Sequence, residues 1–390
     1  MPTMGSRYSV LVMDAGLSAT LAVMRALRAD GAAVHLAMAR GAVGAARYAR
    51  GCAGLLMHGS LEAPEALATD VLDYARRRRI DVVLPLTDAA TATLDRIRSL
   101  LDGQVALAIP PPEAIAATMD KGRTLAMARD APGTFDVPAT IEPERPDDVD
   151  PNLVASWPVL VKPRDADGAR GIQLVARPDE LRPVYAAVHR QFPRPLVQSR
   201  IDYVPGAKAQ LYYLFDRSGV LRARFMQRVL REAASIVGPE GTRRRGGISL
   251  LWESAFDADL LERGARLLAS ANWRGTGFVE VVRDSRDGRH LLLEINPRLS
   301  GSIHLCLACG PNLAAGCCRV ALGLPVQLAD GWPTGRRARR DPFHMISNRA
   351  WLPLLDPRNL PPYRLLGEPM AFAAACAGRL RTRFQRPDQP

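Results

Sequence analysis

Leu291-Leu292-Leu293-Glu294-Ile295-Asn296-Pro297-Arg298, taken with Gly277-Phe278-Val279-Glu280-Val281 upstream, decides how this chain is read. The apolar run Leu291–Leu293 marks a buried strand, and a buried acid on such a strand needs a partner or a metal. Side chains alternate across a strand, so Glu294 and Asn296 share a face and Arg298 falls one alternation further on. The turn Asp284-Ser285-Arg286-Asp287-Gly288 predicts a hairpin that brings Glu280 opposite them. Glu280, Glu294 and Asn296 are therefore candidate metal ligands. Two carboxylates and an amide oxygen suit Mg²⁺, which keeps open positions for phosphate oxygens. Arg298 would present a bidentate fork to a phosphoryl or carboxylate group.

The second signal is lysine. Of 52 basic residues only Lys121, Lys162 and Lys208 are lysines, and the other 49 are arginines. Where arginine is the default, a retained lysine marks a place for a compact, point-like ammonium. Lys162 ends the strand Pro158-Val159-Leu160-Val161 and is followed by Pro163 and the loop Arg164-Asp165-Ala166-Asp167-Gly168-Ala169-Arg170-Gly171. Glycines at 168 and 171 let backbone amides approach an anion closely, and a lysine at the root of the loop reaches the same group. Lys121, in Met119-Asp120-Lys121, opens a helix.

Towards the N-terminus, strands at 8–13, 34–38 and 82–86 alternate with helices at 19–28 and 70–79, which predicts a parallel doubly wound sheet over roughly the first 110 residues. Gly16 resembles half of a dinucleotide fingerprint, but Gly-x-Gly-x-x-Gly is absent. Pro110-Pro111-Pro112 marks a boundary. From Trp157 the chain is strand-rich and reads as α+β, with helices at 179–190 and 257–272. The expected domains are 1–110, 111–325 with a lid lobe at about 157–200, and an arginine- and proline-rich extension at 326–390 that carries no readable chemistry.

The 390 residues are 47% hydrophobic and 24% charged, which excludes disorder for most of the length. No apolar run approaches the roughly 18–20 residues needed to span a bilayer. Asp14 and Gly16 break up the apolar N-terminal segment, so it reads as strand, turn and helix rather than a leader. A cytoplasmic protein without a membrane partner is expected. The net charge of +12 invites a nucleic-acid partner, but runs such as Arg76–Arg79 and Arg336–Arg340 read as solvated faces, and none is expected. Cys306-x-x-Cys309 with Cys317-Cys318 has zinc-like spacing, yet its small apolar surroundings favour thiols acting as small hydrophobes; Cys52 and Cys376 add no disulfide framework. Trp252 and Trp273 are open to two readings, pocket or core.

The order Asp120-Lys121, Pro158–Pro163 with its glycine loop, Asp202-Tyr203-Val204-Pro205-Gly206, Glu280 and Glu294-x-Asn296-x-Arg298 resembles the ATP-grasp superfamily, and most of all its carboxylate–amine ligases. The resemblance covers roughly residues 1–325. It implies a Rossmann-like pre-ATP-grasp domain followed by a two-lobed ATP-grasp fold. It further implies that Lys121 and Lys162 contact ATP phosphates under a lid holding Gly168 and Gly171, and that Asp202, Tyr203 and Val204 line the adenine hinge. Glu280, Glu294 and Asn296 would hold Mg²⁺ ions, with Mn²⁺ as an alternative, and Arg298 and Lys162 would act catalytically. The chain departs from the pattern twice: Asp202 stands where glutamate is usual, and Ala207-Lys208 replaces a ribose-binding acid, leaving Lys208 to reach phosphate or solvent. The activity implied is ligation of a small carboxylate to an amine through an acyl phosphate, in a protein that is a homodimer by resemblance. The alternatives are a phosphotransferase or carboxylase on the same site, and a non-catalytic ATP- or nucleic-acid-binding protein. Arg228 and Arg243–Arg245 read equally as a substrate loop or a solvated one.

Overall fold

The computed structural model describes residues 8–42, 45–166, 168–238, 243–244, 246–328, 331–347 and 352–361. Asp167, Arg245, Cys376 and much of the 326–390 segment lie outside the described residues. For Arg243 and Arg244 only the backbone is described.

Three sheets organise the chain. The first holds Cys52–His58, Ala32–Ala39, Tyr8–Val12, Val82–Leu84 and Ala106–Leu107 in that spatial order, and every pair in it is parallel. Helices Ser18–Ala29, Pro64–Arg78 and Asp88–Arg96 alternate with its strands. Strand Cys52–His58 escapes the sequence reading because Cys52 and Gly54 interrupt its apolar pattern. Gly54 is needed there, since a Cβ would sit 2.5 Å from the Tyr74 hydroxyl.

The second sheet has seven strands in the order His290–Asn296, Gly275–Arg283, Lys208–Phe215, Leu221–Glu232, Ser249–Ser254, Arg337–Arg339 and Asn359–Leu360. The last two strands come from the segment read as a featureless extension. They dock because Trp332, just upstream, packs its ring on Phe225 and Phe256 and donates from its indole to the Ala255 carbonyl at 2.9 Å. One face of this sheet meets helix Ala258–Ser270, whose Leu260, Leu261, Leu267 and Leu268 pack on Leu211, Val279 and Ile295. Asp257 caps that helix by accepting from the Leu260 amide at 3.1 Å. The other face shares an apolar cluster with the first sheet through helices His304–Cys309 and Leu313–Leu322. Trp252 and Trp273 are both buried in these cores, which settles them as packing residues. Cys306, Cys317 and Cys318 are buried in the shared cluster as well.

The third sheet, of six strands, includes Gln173–Val175, Val159–Lys162 and Leu196–Ser199 at its centre. Helix Pro178–Gln191 covers it through Leu181, Tyr185 and Val188. The face of the second sheet that carries acids and the end of the third sheet that carries Lys162 enclose the candidate site.

Candidate active site

A cavity of about 420 Å³ lies between the second and third sheets, and the chain's three lysines all line it, together with Glu232, Glu280 and Glu294. Helix Lys121–Arg129 supplies Lys121 from its first position. Asp120 caps the helix on the Arg123 amide at 3.1 Å, and the Lys121 amide donates to the Arg164 carbonyl at 3.0 Å. Arg164 bridges Asp120 at 3.1 Å and Glu142 at 2.8 Å, which ties the helix start to the loop after Lys162. The Lys121 ammonium donates to the Ala166 carbonyl at 2.7 Å.

Lys162 closes its strand buried at the cavity wall, with Nζ donating to Gln198 Oε1 at 3.0 Å; Gln198 Nε2 in turn donates to Thr140 Oγ1 at 3.0 Å. Burial, reinforced by the charge of Lys121, pushes the Lys162 ammonium down to about 8. In the loop beyond it, Gly168 and Ala169 form cavity wall at φ +59° and +65°. Gly171 stands off the wall at φ +75°, where a Cβ would lie 2.5 Å from the Phe192 ring, so only glycine fits.

The hairpin pairs Glu280 directly with Glu294, and Phe278 with Asn296, across antiparallel strands. From Glu294 a polar chain follows the strand outward. Asn296 Nδ2 donates to Glu294 Oε1 at 3.3 Å, and Arg298 donates to Asn296 Oδ1 at 3.3 Å. Arg298 also holds Asp88 through both of its carboxylate oxygens, at 2.7 and 2.5 Å. Asp88 opens helix Asp88–Arg96 of the first sheet's layer, so this pair joins the N-terminal layer to the site strand. Burial works against the charge on Glu294, but Lys121, Lys208 and Lys162 outweigh it and hold the carboxyl below the ordinary range.

Lys208 turns inward to the acids rather than out to solvent. Its Nζ lies 2.5 Å from Glu280 Oε2 and 3.6 Å from Glu232 Oε1. Burial opposes its charge, yet these two carboxylates more than compensate and raise its pKa above the ordinary lysine value. Tyr203 lines the cavity and donates to Glu232 Oε2 at 2.7 Å. Its neighbours do not join it: Asp202 pairs with Arg200 at 3.3 Å, and Val204 is 61% exposed. At this point the wall is Arg200, Ile201 and Tyr203.

Sequence reasoning missed Glu232, Gln198, Asp88 and a buried amide row. Gln210 sits between Glu280 and Gln227 in cross-strand register and donates to Glu280 Oε1 at 2.6 Å. Alternation from Lys208 places Gln210 on the same face, which is the one signal that points to it. Among the described residues, no group of three or more His, Cys, Asp or Glu side chains is placed to hold a metal. A larger groove of about 910 Å³ follows the edge strand Ala106–Leu107, but its Arg98, Arg217 and Arg274 are turned onto backbone carbonyls and none of the chain's lysines lines it. No helix among the described residues is long and apolar enough to cross a membrane.

No family profile and no curated protein matches this chain. Solved structures do. A biotin carboxylase from Campylobacter jejuni, in a β,γ-ATP complex, superposes with TM-score 0.67 at 15% identity, over 84% of this chain and 74% of that one. An N5-carboxyaminoimidazole synthetase from Staphylococcus aureus complexed with ADP gives 0.64 at 16% identity, over 86% and 82%. An L-amino acid ligase from Bacillus licheniformis gives 0.61 at 14%, over 83% and 76%. All three are ATP-grasp enzymes, and the fold of this chain is the ATP-grasp fold.

Proposed function

We propose that this chain is an ATP-dependent ligase that activates a small carboxylate as an acyl phosphate and joins it to an amine, releasing ADP and phosphate. The observation that carries this reading is the convergence of the three lysines of an arginine-rich chain on one cavity floored by opposed glutamates. The donor set fits Mg·ATP. Ammonium groups suit polyphosphate oxygens, Glu294 and Asn296 offer hard oxygen donors, and Leu160, Ile172, Ile201 and Leu293 give the cavity an apolar side for a base. The divalent ion would supply charge neutralisation at phosphate oxygens.

Lys121 and Lys162 would bind the polyphosphate, and the backbone at Gly168, with Gly171 fixing the loop, would exclude water from it. Tyr203 borders the base on this reading, with Arg200 and Ile201 beside it in place of Asp202 and Val204. Two anions approach one another when a carboxylate is activated, so fixed cations at Lys162 and Arg298 lower the repulsion in the transition state. Asp88 takes both arms of the Arg298 fork and positions it beside Asn296, so a phosphoryl group would have to take over one of these contacts for Arg298 to act. The substrates are small molecules on this reading.

The test is ADP and phosphate release from Mg·ATP with pooled amino acids and small carboxylic acids, products being followed by mass spectrometry. Ligation requires both a carboxylate and an amine and yields a product lighter than their sum by one water. A phosphate-sized mass gain on one substrate, or release that depends on bicarbonate, would replace it with a phosphotransferase or a carboxylase.

A further inference from the structure

We infer that Lys208 is a built-in cation that takes the place of a second divalent ion, so that the site binds one Mg²⁺ or Mn²⁺ per nucleotide, on the Glu294 side only. The inference rests on the nucleotide reading above and concerns how its metal complement is divided.

The two opposed glutamates are not equivalent. Both oxygens of Glu280 are already engaged. Oε2 takes the Lys208 ammonium at 2.5 Å, and Oε1 accepts from Gln210 Nε2 at 2.6 Å. The Gln210 amide has no freedom to turn away. Its Oε1 accepts from Gln227 Nε2 at 2.6 Å, Ser302 Oγ at 3.0 Å and the Tyr212 hydroxyl at 3.1 Å, which fixes its Nε2 on Glu280. Among the described residues Glu294 has only the long 3.3 Å contact from Asn296, and so keeps lone pairs for an ion.

Charge and burial favour the same division. The side chains of Lys208, Glu280 and Glu232 are 7%, 8% and 4% exposed, so the ammonium is held in a largely desolvated pair of contacts. A divalent ion on Glu280 would have to displace the ammonium, leaving it the longer 3.6 Å contact to Glu232 alone and setting a double positive charge beside it. Lysines 121, 162 and 208 already match glutamates 232, 280 and 294 one for one, and Arg200 adds a further cation to the wall, so the cavity has no surplus of negative charge to draw a second divalent ion. Lysine supplies this charge as a compact point on a slim stem, the form that stands in for a metal ion.

The test is equilibrium dialysis of the full chain against Mn²⁺ and a non-hydrolysable ATP analogue, reading the ratio of bound Mn²⁺ to bound nucleotide. One Mn²⁺ per nucleotide is expected for the wild type. Two per nucleotide would overturn the inference and leave the nucleotide reading standing, whereas no bound nucleotide would overturn that reading and this inference with it. Lys208→Met frees Glu280 beside Glu294, and the ratio should rise towards two in a variant that retains its circular dichroism spectrum. A ratio held at one in that folded variant would also overturn the inference. If the variant does not fold, the wild-type ratio alone decides.

Discussion

Lys162 offers the sharpest quantitative prediction, because its charge is set by position. Buried, beside Lys121 and bonded to Gln198, its ammonium loses its proton near pH 8. Polyphosphate binds the ammonium and not the amine, so the apparent Kd for Mg·AMP-PNP should rise with pH as Lys162 deprotonates in the free protein. With the proton lost at about 8, the Kd is about twofold above its low-pH limit at pH 8, about elevenfold at pH 9, and climbs about tenfold per unit beyond. Binding above pH 8 must also take up a proton, which calorimetry in two buffers of different ionisation enthalpy reads directly. Stability moves the opposite way. An unfolded lysine holds its proton to about 10.4, so between about pH 8 and 10.4 the unfolded state binds more protons and the free protein becomes more stable as pH rises. Lys162→Met should flatten the affinity profile at a weaker plateau. A wild-type Kd constant from pH 7 to 9.5, with no proton uptake, would refute the reasoning.

Three further outcomes are expected. Asp88→Asn removes one charge from a pair whose side chains are 13% and 18% exposed, while Arg298 keeps Asn296 and the Leu299 carbonyl; the cost should be about 2 kcal/mol, a Tm lower by about 2–3 °C, together with reduced kcat, and an unchanged Tm would deny the pair its role. Glu294→Gln should abolish turnover and Mn²⁺ binding with the far-ultraviolet spectrum intact, and retained Mn²⁺ binding would remove Glu294 from the metal assignment. The thiols of Cys306 and Cys309 donate to the carbonyls of Pro311 and Leu305, and burial pushes both up in pKa, so a zinc chelator should leave Tm unchanged; stoichiometric zinc in the purified protein would contradict this.

What could be read from the sequence follows the range of each signal. Alternation along one strand is local, so the common face of Glu294 and Asn296 was legible, and a short hairpin turn carried Glu280 to within one register choice of its partner. The lysines stood out against an arginine background, although composition says nothing about what each one touches. Lys208 illustrates the limit. Its partner Glu232 lies at the far end of the neighbouring strand, beyond register irregularities in that strand's pairing with Ser249–Ser254, and no pattern in either segment announces the contact. Asp88 and Arg298 are 210 residues apart and meet only because the first sheet's layer docks on the second. The strand Arg337–Arg339 reads as a solvated arginine run because its pairing partners, Ser249–Ser254 and Asn359–Leu360, are what make it a strand.

The central claim is that the three-lysine cavity binds the nucleotide polyphosphate, and calorimetric titration of Mg·AMP-PNP into wild type and Lys121→Met tests it most directly. Lys121 lies on the cavity wall with its ammonium on the Ala166 carbonyl, so its replacement leaves the folded core in place. The account predicts one nucleotide per chain for the wild type and an affinity at least about tenfold weaker in the variant, the loss of one charge-assisted contact. Equal affinity in the two proteins, or no binding by the wild type, would contradict it.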